Sequence, residues 1–429
     1  MEILIMLIPF FVFLIIGVPI AFSLILSTSF FLLITGSKPL IVLTQQMYTA
    51  SDSFPLMAIP FFVLAGNLMN RAQLTGRLIE LANVLVGRLT GGLGQVSVVA
   101  SMFLAAIIGS ATATTAAVGG MMVPAMREKG YGAAFSGAVA AAGGILGPII
   151  PPSVVFIVAG SLFGVSVGAL FMAGIVPGLL IGFGFMLVVY FTSKKRNYPR
   201  YTGKLDAKKL LYIFLNATLA LMMPIIIMGG ILTGVFTATE AGAVAGVYAL
   251  LVGILVYRSL SLKDLYLTLV ESGITSAIIL LLIAASNPFG WVLSVHQLPQ
   301  KVAQLMAAIT SDQMVTMLLI TIFLLIMGMF LETAANILIV GPILFPIANS
   351  FGIDPVYFIA YMCMVLILGM ITPPMAVNLF VAAPIAGVSF EKLAAEIWPF
   401  LGVGFFVVIL LAIWPEIVLF LPRILGLVS

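Results

Sequence analysis

The ten residues GPIIPPSVVF, 147–156, place three prolines inside a long apolar part of the chain. Proline has no backbone N–H and its ring clashes with the carbonyl four residues earlier, so a helix should open at Pro151 and Pro152. The carbonyl of Gly147 loses its helical donor, and Ile150 is pushed out of helical geometry because it precedes a proline. We therefore expect a broken helix that presents backbone carbonyl oxygens.

The composition places this break in a membrane. Of the 429 residues, 63% are hydrophobic and only 7% are charged, a balance that soluble domains do not show. A helix needs roughly 20 apolar residues to cross a bilayer, and such runs occur at Leu170–Phe191, Ile213–Gly234 and Pro399–Leu421. Because the runs are continuous rather than alternating, we predict an all-α polytopic membrane protein and not a β-barrel.

The pattern around the break recurs 222 residues later. Gly147, Pro151 and Pro152 have counterparts in Gly369, Pro373 and Pro374. The polar stretch IGSATATT, 108–115, falls in the same register as FLETAANI, 330–337. An internal repeat of this length predicts two structurally similar halves.

A basic linker, KKRNYPRYTGKLDAKK at 194–209, separates the two halves and holds seven of the 18 basic residues. By the positive-inside rule it is cytoplasmic, and we interpret it as a topology signal and not as a nucleic-acid site. Each half is predicted to contain a re-entrant hairpin and then a broken helix. In the first repeat, 1–193, these are about 96–126 and about 133–162; in the second, 210–429, they are about 313–350 and about 356–385.

The basic residues of the first half support a hairpin. A hairpin at 96–126 keeps Arg71, Arg77 and Arg88 cytoplasmic, whereas a single crossing would put Arg88 outside. The second hairpin then opens from the opposite face. Two similar halves of opposite orientation are the inverted-repeat plan of secondary transporters, whose sites form near the membrane midplane.

The breaks predict a cation site. An unpaired carbonyl in hydrocarbon costs several kcal/mol, roughly, so non-helical backbone persists only where it lines a cavity or binds something. Pro373 should free the carbonyl of Gly369 as Pro151 frees that of Gly147, and Thr372 precedes the second proline pair. Carbonyl and hydroxyl oxygens without a carboxylate cage suit Na⁺ better than a divalent ion.

The hairpin tips predict an anion site. Their half-helix N-termini direct partial positive charge inward, and their side chains carry oxygen: Ser110, Thr112, Thr114 and Thr115 in the first tip, Glu332, Thr333 and Asn336 in the second. The alternative is that these residues are small for close helix packing, with their hydroxyls bonded within their own turns. Asn67 and Asn378 could likewise reach a ligand or bond to a neighbouring backbone. Glu240, in TATE, is predicted to cap a helix.

These residues resemble a known family. The strings IGSATATT, GILGPIIPPSVVFIVAG and MITPPMAVNLFV, at 108–115, 144–160 and 370–381, are similar to the large membrane subunit of tripartite ATP-independent periplasmic (TRAP) transporters. The similarity covers essentially the whole chain and is greatest to the sialic-acid-type members. It implies a sodium-driven secondary importer of organic anions, mostly carboxylates, in the bacterial inner membrane, with an elevator-type transport domain sliding against a scaffold.

The resemblance also implies ligands and partners. About two sodium ions are expected, one at Ser110, Gly147, Ile150 and Pro152, the other at Gly328, Gly369, Thr372 and Met375. Substrate is expected between the hairpin tips, with candidate contacts from Thr114, Thr115, Ser153, Asn336 and Asn378. The expected partners, besides the lipid bilayer, are a four-helix membrane subunit, on a separate polypeptide, and a periplasmic substrate-binding protein.

Other functions are less well supported. A stand-alone sodium/dicarboxylate carrier of related fold is the alternative within transport. A channel would need a continuous polar lining and an enzyme a titratable cluster, and neither is apparent in the sequence. The chain has no GxxxxGK[ST] motif, so we do not expect it to hydrolyse ATP itself.

Overall fold

The computed structural model describes residues 3–72, 74–199, 207–310 and 312–428, and within these residues it is helical, with no strand. A 3₁₀ turn at Phe54–Met57 precedes α4, and a π-helical turn at Val252–Val256 extends α12. The helices are α1 Leu4–Ile15, α2 Ile20–Thr35, α3 Ile41–Ser51, α4 Ala58–Arg71, α5 Leu74–Val86, α6 Gly92–Ile108, α7 Ala111–Glu128, α8 Ala133–Gly144, α9 Val154–Phe163, α10 Val167–Lys195, α11 Ala207–Leu232, α12 Ala238–Leu251, α13 Leu262–Val295, α14 Leu298–Ile309, α15 Gln313–Phe330, α16 Thr333–Ser350, α17 Pro355–Gly369, α18 Val377–Ala386, α19 Phe390–Ile413 and α20 Glu416–Ile424.

The described helices confirm a polytopic all-α membrane fold. Seven of them are long and apolar enough to cross a membrane, and α3 with the segment through α4, bent by 63°, adds an eighth if counted as one span. One predicted span is wrong: Pro399–Leu421 is divided, because α19 ends at Ile413 and α20 begins at Glu416. The cause is Pro415, since the residue before a proline avoids helical geometry, and Trp414 is extended at φ −124°, ψ 81°.

Helices α6 and α7 form a hairpin. Gly91, just before α6, packs against Ser193 near the end of α10: a Cβ added to Gly91 would lie 2.2 Å from the Ser193 hydroxyl oxygen. Gly132, just after α7, donates its N–H to the Tyr198 hydroxyl at 3.1 Å. The two ends of the pair therefore meet the same end of α10, and the chain reverses at Gly109 and Ser110.

Helices α15 and α16 form a second hairpin. The Gln313 side-chain amide, at the start of α15, donates to the carbonyl of Phe351, just after α16. The chain reverses at Leu331 and Glu332. The two helix pairs run from Gly92 to Glu128 and from Gln313 to Ser350, and the division of the chain into re-entrant hairpins within two repeats stays a prediction.

The two hairpins enter from opposite ends of α10. Helix α10 has 29 residues, about 43 Å at 1.5 Å per residue, and α19 runs antiparallel to it: Arg196 pairs with Glu396 at 2.9 Å, and Gly184 packs on Val403. The far end of α19 shares a cavity with Gln313 and Gly352, at the base of the second hairpin. The base of the first hairpin is at the Arg196 end.

Each broken helix packs against a long helix. The first break separates α8 from α9 and lies against α10 at Gly174 and Gly178, which approach Ile149 and Ile150. The second separates α17 from α18, and Leu368 packs on Gly404 in the middle of α19. The Pro151–Pro152 and Pro373–Pro374 peptide bonds are cis. Of the predicted basic linker, residues 200–206 lie outside the described part of the chain.

Candidate functional site: a cavity between the hairpin tips

A cavity of about 290 Å³ lies where the two hairpin tips meet. Its walls come from four parts of the fold: the first tip at 108–113, the second tip at 332–334, Gly66 and Asn67 of α4, and Thr275 and Ile279 of α13. Pro148, Val154, Val155 and Met370, from the two breaks, also contribute. The tips are therefore brought together, as the sequence predicts, and both breaks border the same space.

Helix α4 forms the wall opposite the first tip. It approaches closely at Gly66, where an added Cβ would lie 3.1 Å from the Ile107 carbonyl oxygen. Asn67 donates its side-chain N–H to the Ser272 hydroxyl at 2.9 Å, which fixes α4 to α13. Sequence reasoning named Asn67 but missed Thr275. The available signal was the recurrence of hydroxyls at positions 272, 275 and 276, a spacing that places them on one side of α13.

The cavity holds little formal charge. Among its described lining residues, Glu332 is the only ionisable one. Glu332 is the N-cap residue of α16 but its side chain makes no capping bond, and Ser110 occupies the corresponding position before α7. The N-termini of both helices face the cavity, and the partial positive charge there favours an anionic group.

The first candidate sodium site lies around Gly147. A Cβ added to Gly147 would lie 2.6 Å from the Ser110 carbonyl oxygen and 2.7 Å from the Thr114 hydroxyl oxygen. The Pro152 carbonyl oxygen approaches the tip at Gly109, where an added Cβ would lie 3.0 Å from it. These oxygens come from the hairpin tip and the break, which is the combination predicted for this site.

Two of the oxygens near Gly147 lack partners. In the described part of the chain, no backbone N–H donates to the Gly147 carbonyl. The Thr114 hydroxyl is fully buried and makes no hydrogen bond. Buried polar atoms are nearly always satisfied, so this arrangement fits a small oxygen-seeking cation.

The second candidate site lies around Gly328 and Gly369, whose backbones touch: a Cβ added to Gly369 would lie 2.5 Å from the Gly328 carbonyl carbon. The prediction that Pro373 frees the Gly369 carbonyl is wrong, because the chain tightens after α17 and the Thr372 N–H donates to that carbonyl at 2.9 Å. The Thr372 hydroxyl donates to the Leu368 carbonyl. Met375 is 46% exposed. Of the four predicted ligands, Gly328, Gly369 and Thr372 contact one another through their backbones.

The five predicted substrate contacts are buried beside the cavity, and none of them is among its described lining residues. Ser153 caps α9 by accepting from the Phe156 N–H, and it donates to the Pro148 carbonyl at 2.6 Å. Asn336 donates to the carbonyls of Met327 and Leu331, and Asn378 donates to that of Ala141. The oxygens left without a partner are Thr114 Oγ1, Thr115 Oγ1, Asn336 Oδ1 and Asn378 Oδ1.

The Ser153 hydroxyl is therefore occupied by bonds to its own break, and the contact of all five residues with substrate stays a prediction. The cavity is lined instead by other polar side chains of the tips, namely Ser110, Thr112, Glu332 and Thr333. The predicted cap at Glu240 is confirmed: it forms a capping box with Thr237 at the start of α12.

Residues 7–417 match the protein family described as "Tripartite ATP-independent periplasmic transporter, DctM component". The isethionate TRAP transporter permease of Oleidesulfovibrio alaskensis is 41% identical over 411 residues, which are 96% of this chain and 65% of that protein. The sialic acid TRAP transporter large permease of Vibrio cholerae is 39% identical over 95% of each chain. The crystal structure of the Alcanivorax borkumensis YdaH transporter has a similar fold, with a TM-score of 0.61 at 16% identity over 87% of each chain.

Proposed function

Because the chain belongs to the DctM component family of TRAP transporters, a transporter family and not an enzyme family, we propose that it is the sodium-coupled large permease of an organic-anion importer. The observation that carries the proposal is the cavity between the hairpin tips, with two helix N-termini directed into it and the unpartnered oxygens of the first break beside it.

Sodium coupling is supported by the chemistry of the first break. The carbonyls of Ser110, Gly147 and Pro152 and the hydroxyl of Thr114 would hold the ion. A bound Na⁺ would supply positive charge next to a cavity whose described lining contains no lysine or arginine. The second ion would be held by backbone oxygens at Gly328, Gly369 and Thr372, with Asn336 Oδ1 as a further candidate.

The first hairpin tip would connect the bound ion to the substrate cavity. Ser110 belongs both to the first sodium site and to the cavity wall. Ordering the tip around the ion would therefore fix the Ser110 and Thr112 hydroxyls and the N-terminus of α7 before substrate arrives. A substrate carboxylate could then accept hydrogen bonds from the tip, as anions do at helix N-termini.

The substrate proposed is an organic acid. Sialic acid and isethionate are named for the two relatives, and sialic acid is our first candidate for this chain. Glu332 adds a restriction, since a carboxylate in the wall favours a substrate that also carries a hydrogen-bond donor.

Movement is proposed to follow an elevator mechanism. The two hairpins and two broken helices would form the moving part, and α4 with α13, fixed to each other through Asn67 and Ser272, would form the opposing wall. At Gly66 no side chain separates α4 from the Ile107 backbone, so the two helices could move past each other there without a side chain in the way. A small membrane subunit and a periplasmic binding protein would complete the importer in the bacterial inner membrane.

The test is uptake in proteoliposomes that contain this chain and a small membrane subunit encoded beside it, with the binding protein from the same gene cluster outside. Radiolabelled sialic acid is tested first, then other organic acids that the binding protein retains. We expect uptake with an inward sodium gradient and none when K⁺ replaces Na⁺. Uptake that is independent of sodium would contradict the coupling, and full uptake without the binding protein would favour the stand-alone carrier.

A further inference from the structure

A second, unrelated surface lies on the outside of the fold, in a groove between α15 and α19. This groove, the α15–α19 groove, has a volume of about 420 Å³. Leu318, Ile322 and Ile409 are about half exposed along it. Its remaining lining residues are Met314, Thr321, Leu325, Tyr361, Phe405, Val408, Ala412 and Ile413. Both helices are strongly apolar, and the half-exposed leucine and isoleucines along the groove are typical of a surface that contacts lipid.

The wall of the groove offers an occupant nothing to hydrogen-bond. Its two hydroxyl-bearing residues, Thr321 and Tyr361, bond to each other at 2.6 Å, and the Thr321 hydroxyl also lies 2.6 Å from the Met317 carbonyl oxygen. If the groove were empty, the side chains that line it would lose van der Waals contacts. A hydrocarbon chain fits it chemically, whereas a polar group would lose its own hydrogen bonds there.

The groove continues into a charged cavity at the base of the second hairpin. This cavity, of about 380 Å³, shares Met314, Ala412 and Ile413 with the groove. Its lining adds Gln313, Asp354, Glu416 and Arg423. The transition from apolar to charged lining falls beside Trp414, which is 59% exposed, and exposed tryptophan is typical of the membrane interface.

The charged cavity forms the mouth of the groove, and its lining residues carry both positive and negative charges. Arg423 pairs with Glu416, and its planar guanidinium is the kind of cation that binds phosphate. Asp354 caps α17 through one carboxylate oxygen, Oδ1, which accepts from the Tyr357 N–H. With two carboxylates and one guanidinium, the described mouth carries a net charge of −1 and favours a headgroup that has a cation next to its phosphate.

We propose that the α15–α19 groove and its mouth form a binding site for one phospholipid with an ethanolamine headgroup. One acyl chain lies in the groove, the phosphate lies against Arg423, and the ammonium group lies against Asp354 and Glu416. Because this mouth is at the end of α10 opposite the basic linker, the lipid comes from the leaflet opposite the linker.

The site is tested with the purified full-length chain in nanodiscs of equal parts phosphatidylethanolamine and phosphatidylglycerol. After extraction into mild detergent, lipids retained per chain are counted by native mass spectrometry. Ala412→Phe fills the junction between groove and mouth, and Ala395→Phe, on the exposed cytoplasmic half of the same helix, is the matched control. Excluding two methylenes should lower lipid affinity by about tenfold.

The headgroup is tested separately by Asp354→Asn, which removes the charge and keeps a good helix cap. We expect the wild type and Ala395→Phe to retain one phosphatidylethanolamine, Ala412→Phe to lose it, and Asp354→Asn to lose the preference over phosphatidylglycerol. Each variant is checked by thermal unfolding, and Leu325→Phe replaces Ala412→Phe if the latter does not fold.

Equal retention by Ala412→Phe and Ala395→Phe would overturn the site. Retention of phosphatidylglycerol as readily as phosphatidylethanolamine by the wild type would overturn the headgroup assignment. Loss of the lipid when the small membrane subunit is co-purified would show that a protein helix, and not a lipid, occupies the groove in the assembled transporter.

Discussion

The two helix breaks share a proline pattern but close in different ways. At the first break, a side chain completes the turn: Ser153 caps α9 and holds the Pro148 carbonyl. Its counterpart in the repeat is Met375, and α18 begins after Ala376 at φ +47° with no side-chain cap. The start of α18 is thus held by the backbone, through the Asn378 N–H that donates to the Met370 carbonyl, and not by a side-chain cap.

The oxygens beside the two breaks differ accordingly. The Gly147 carbonyl accepts no backbone N–H from the described residues, whereas the Gly369 carbonyl accepts that of Thr372. Thr114 and Asn336, equivalent by the 222-residue offset, each bury an oxygen without a partner, but only Asn336 also ties the two arms of its hairpin together. Equal sequence spacing therefore produced two breaks with unequal sets of unpartnered oxygens, and the first set is the better candidate for the proposed sodium site.

The largest expected effect is at the backbone contact of the second site. In Gly369→Ala the new Cβ would meet the Gly328 backbone at 2.5 Å, and backbone cannot move aside as a side chain can. We expect a loss of about 3 kcal/mol in stability and loss of uptake, measured by thermal unfolding and proteoliposome transport. Gly120→Ala is the control, because nothing lies within 4 Å of its new Cβ. Equal stability of the two variants would contradict the close packing.

The next effect distinguishes Asn336 from Thr114. Asn336→Ala removes two hydrogen bonds to the carbonyls of Met327 and Leu331. The Met327 carbonyl keeps the Leu331 N–H, but the Leu331 carbonyl at the second tip loses its side-chain donor. We expect a loss of about 2 kcal/mol in stability and faster amide exchange in 327–336. A variant as stable as the wild type would mean that the tip is held by its backbone and not by the Asn336 side chain.

A smaller effect is expected at Thr114. Thr114→Val removes a hydroxyl that has no partner, so stability in KCl should change little, while the sodium concentration that gives half-maximal thermal stabilisation should rise about tenfold. Thr316→Val is the matched control, because its hydroxyl is also buried and unpartnered but lies outside both breaks. An equal sodium response in both variants would remove Thr114 from the proposed site.

The smallest effect concerns the cap. Ser153→Ala should destabilise the protein by about 1 kcal/mol, since it removes the N-cap of α9. Met375→Ala, at the equivalent position, should leave thermal stability unchanged because its side chain is largely exposed. If both variants are equally stable, the two breaks are closed alike and the distinction between them fails.

Hairpins and breaks were predictable from the sequence because their signals are local. Proline removes a donor wherever it occurs, so Pro151 and Pro373 located both breaks: helices end at Gly144 and Gly369 and resume at Val154 and Val377. The cap at Glu240 was predictable for the same reason, since Thr237 lies three residues before it.

The sequence by itself determined an all-α membrane protein with two similar halves, a pair of broken helices and oxygen-rich hairpin tips. The tertiary structure decided which of those oxygens border the cavity. Asn336 and Asn378 turned to neighbouring carbonyls, and Thr372 supplied the donor that Pro373 lacks. A polar side chain in an apolar interior bonds to the nearest available partner, and that partner is set by packing between elements far apart in the chain.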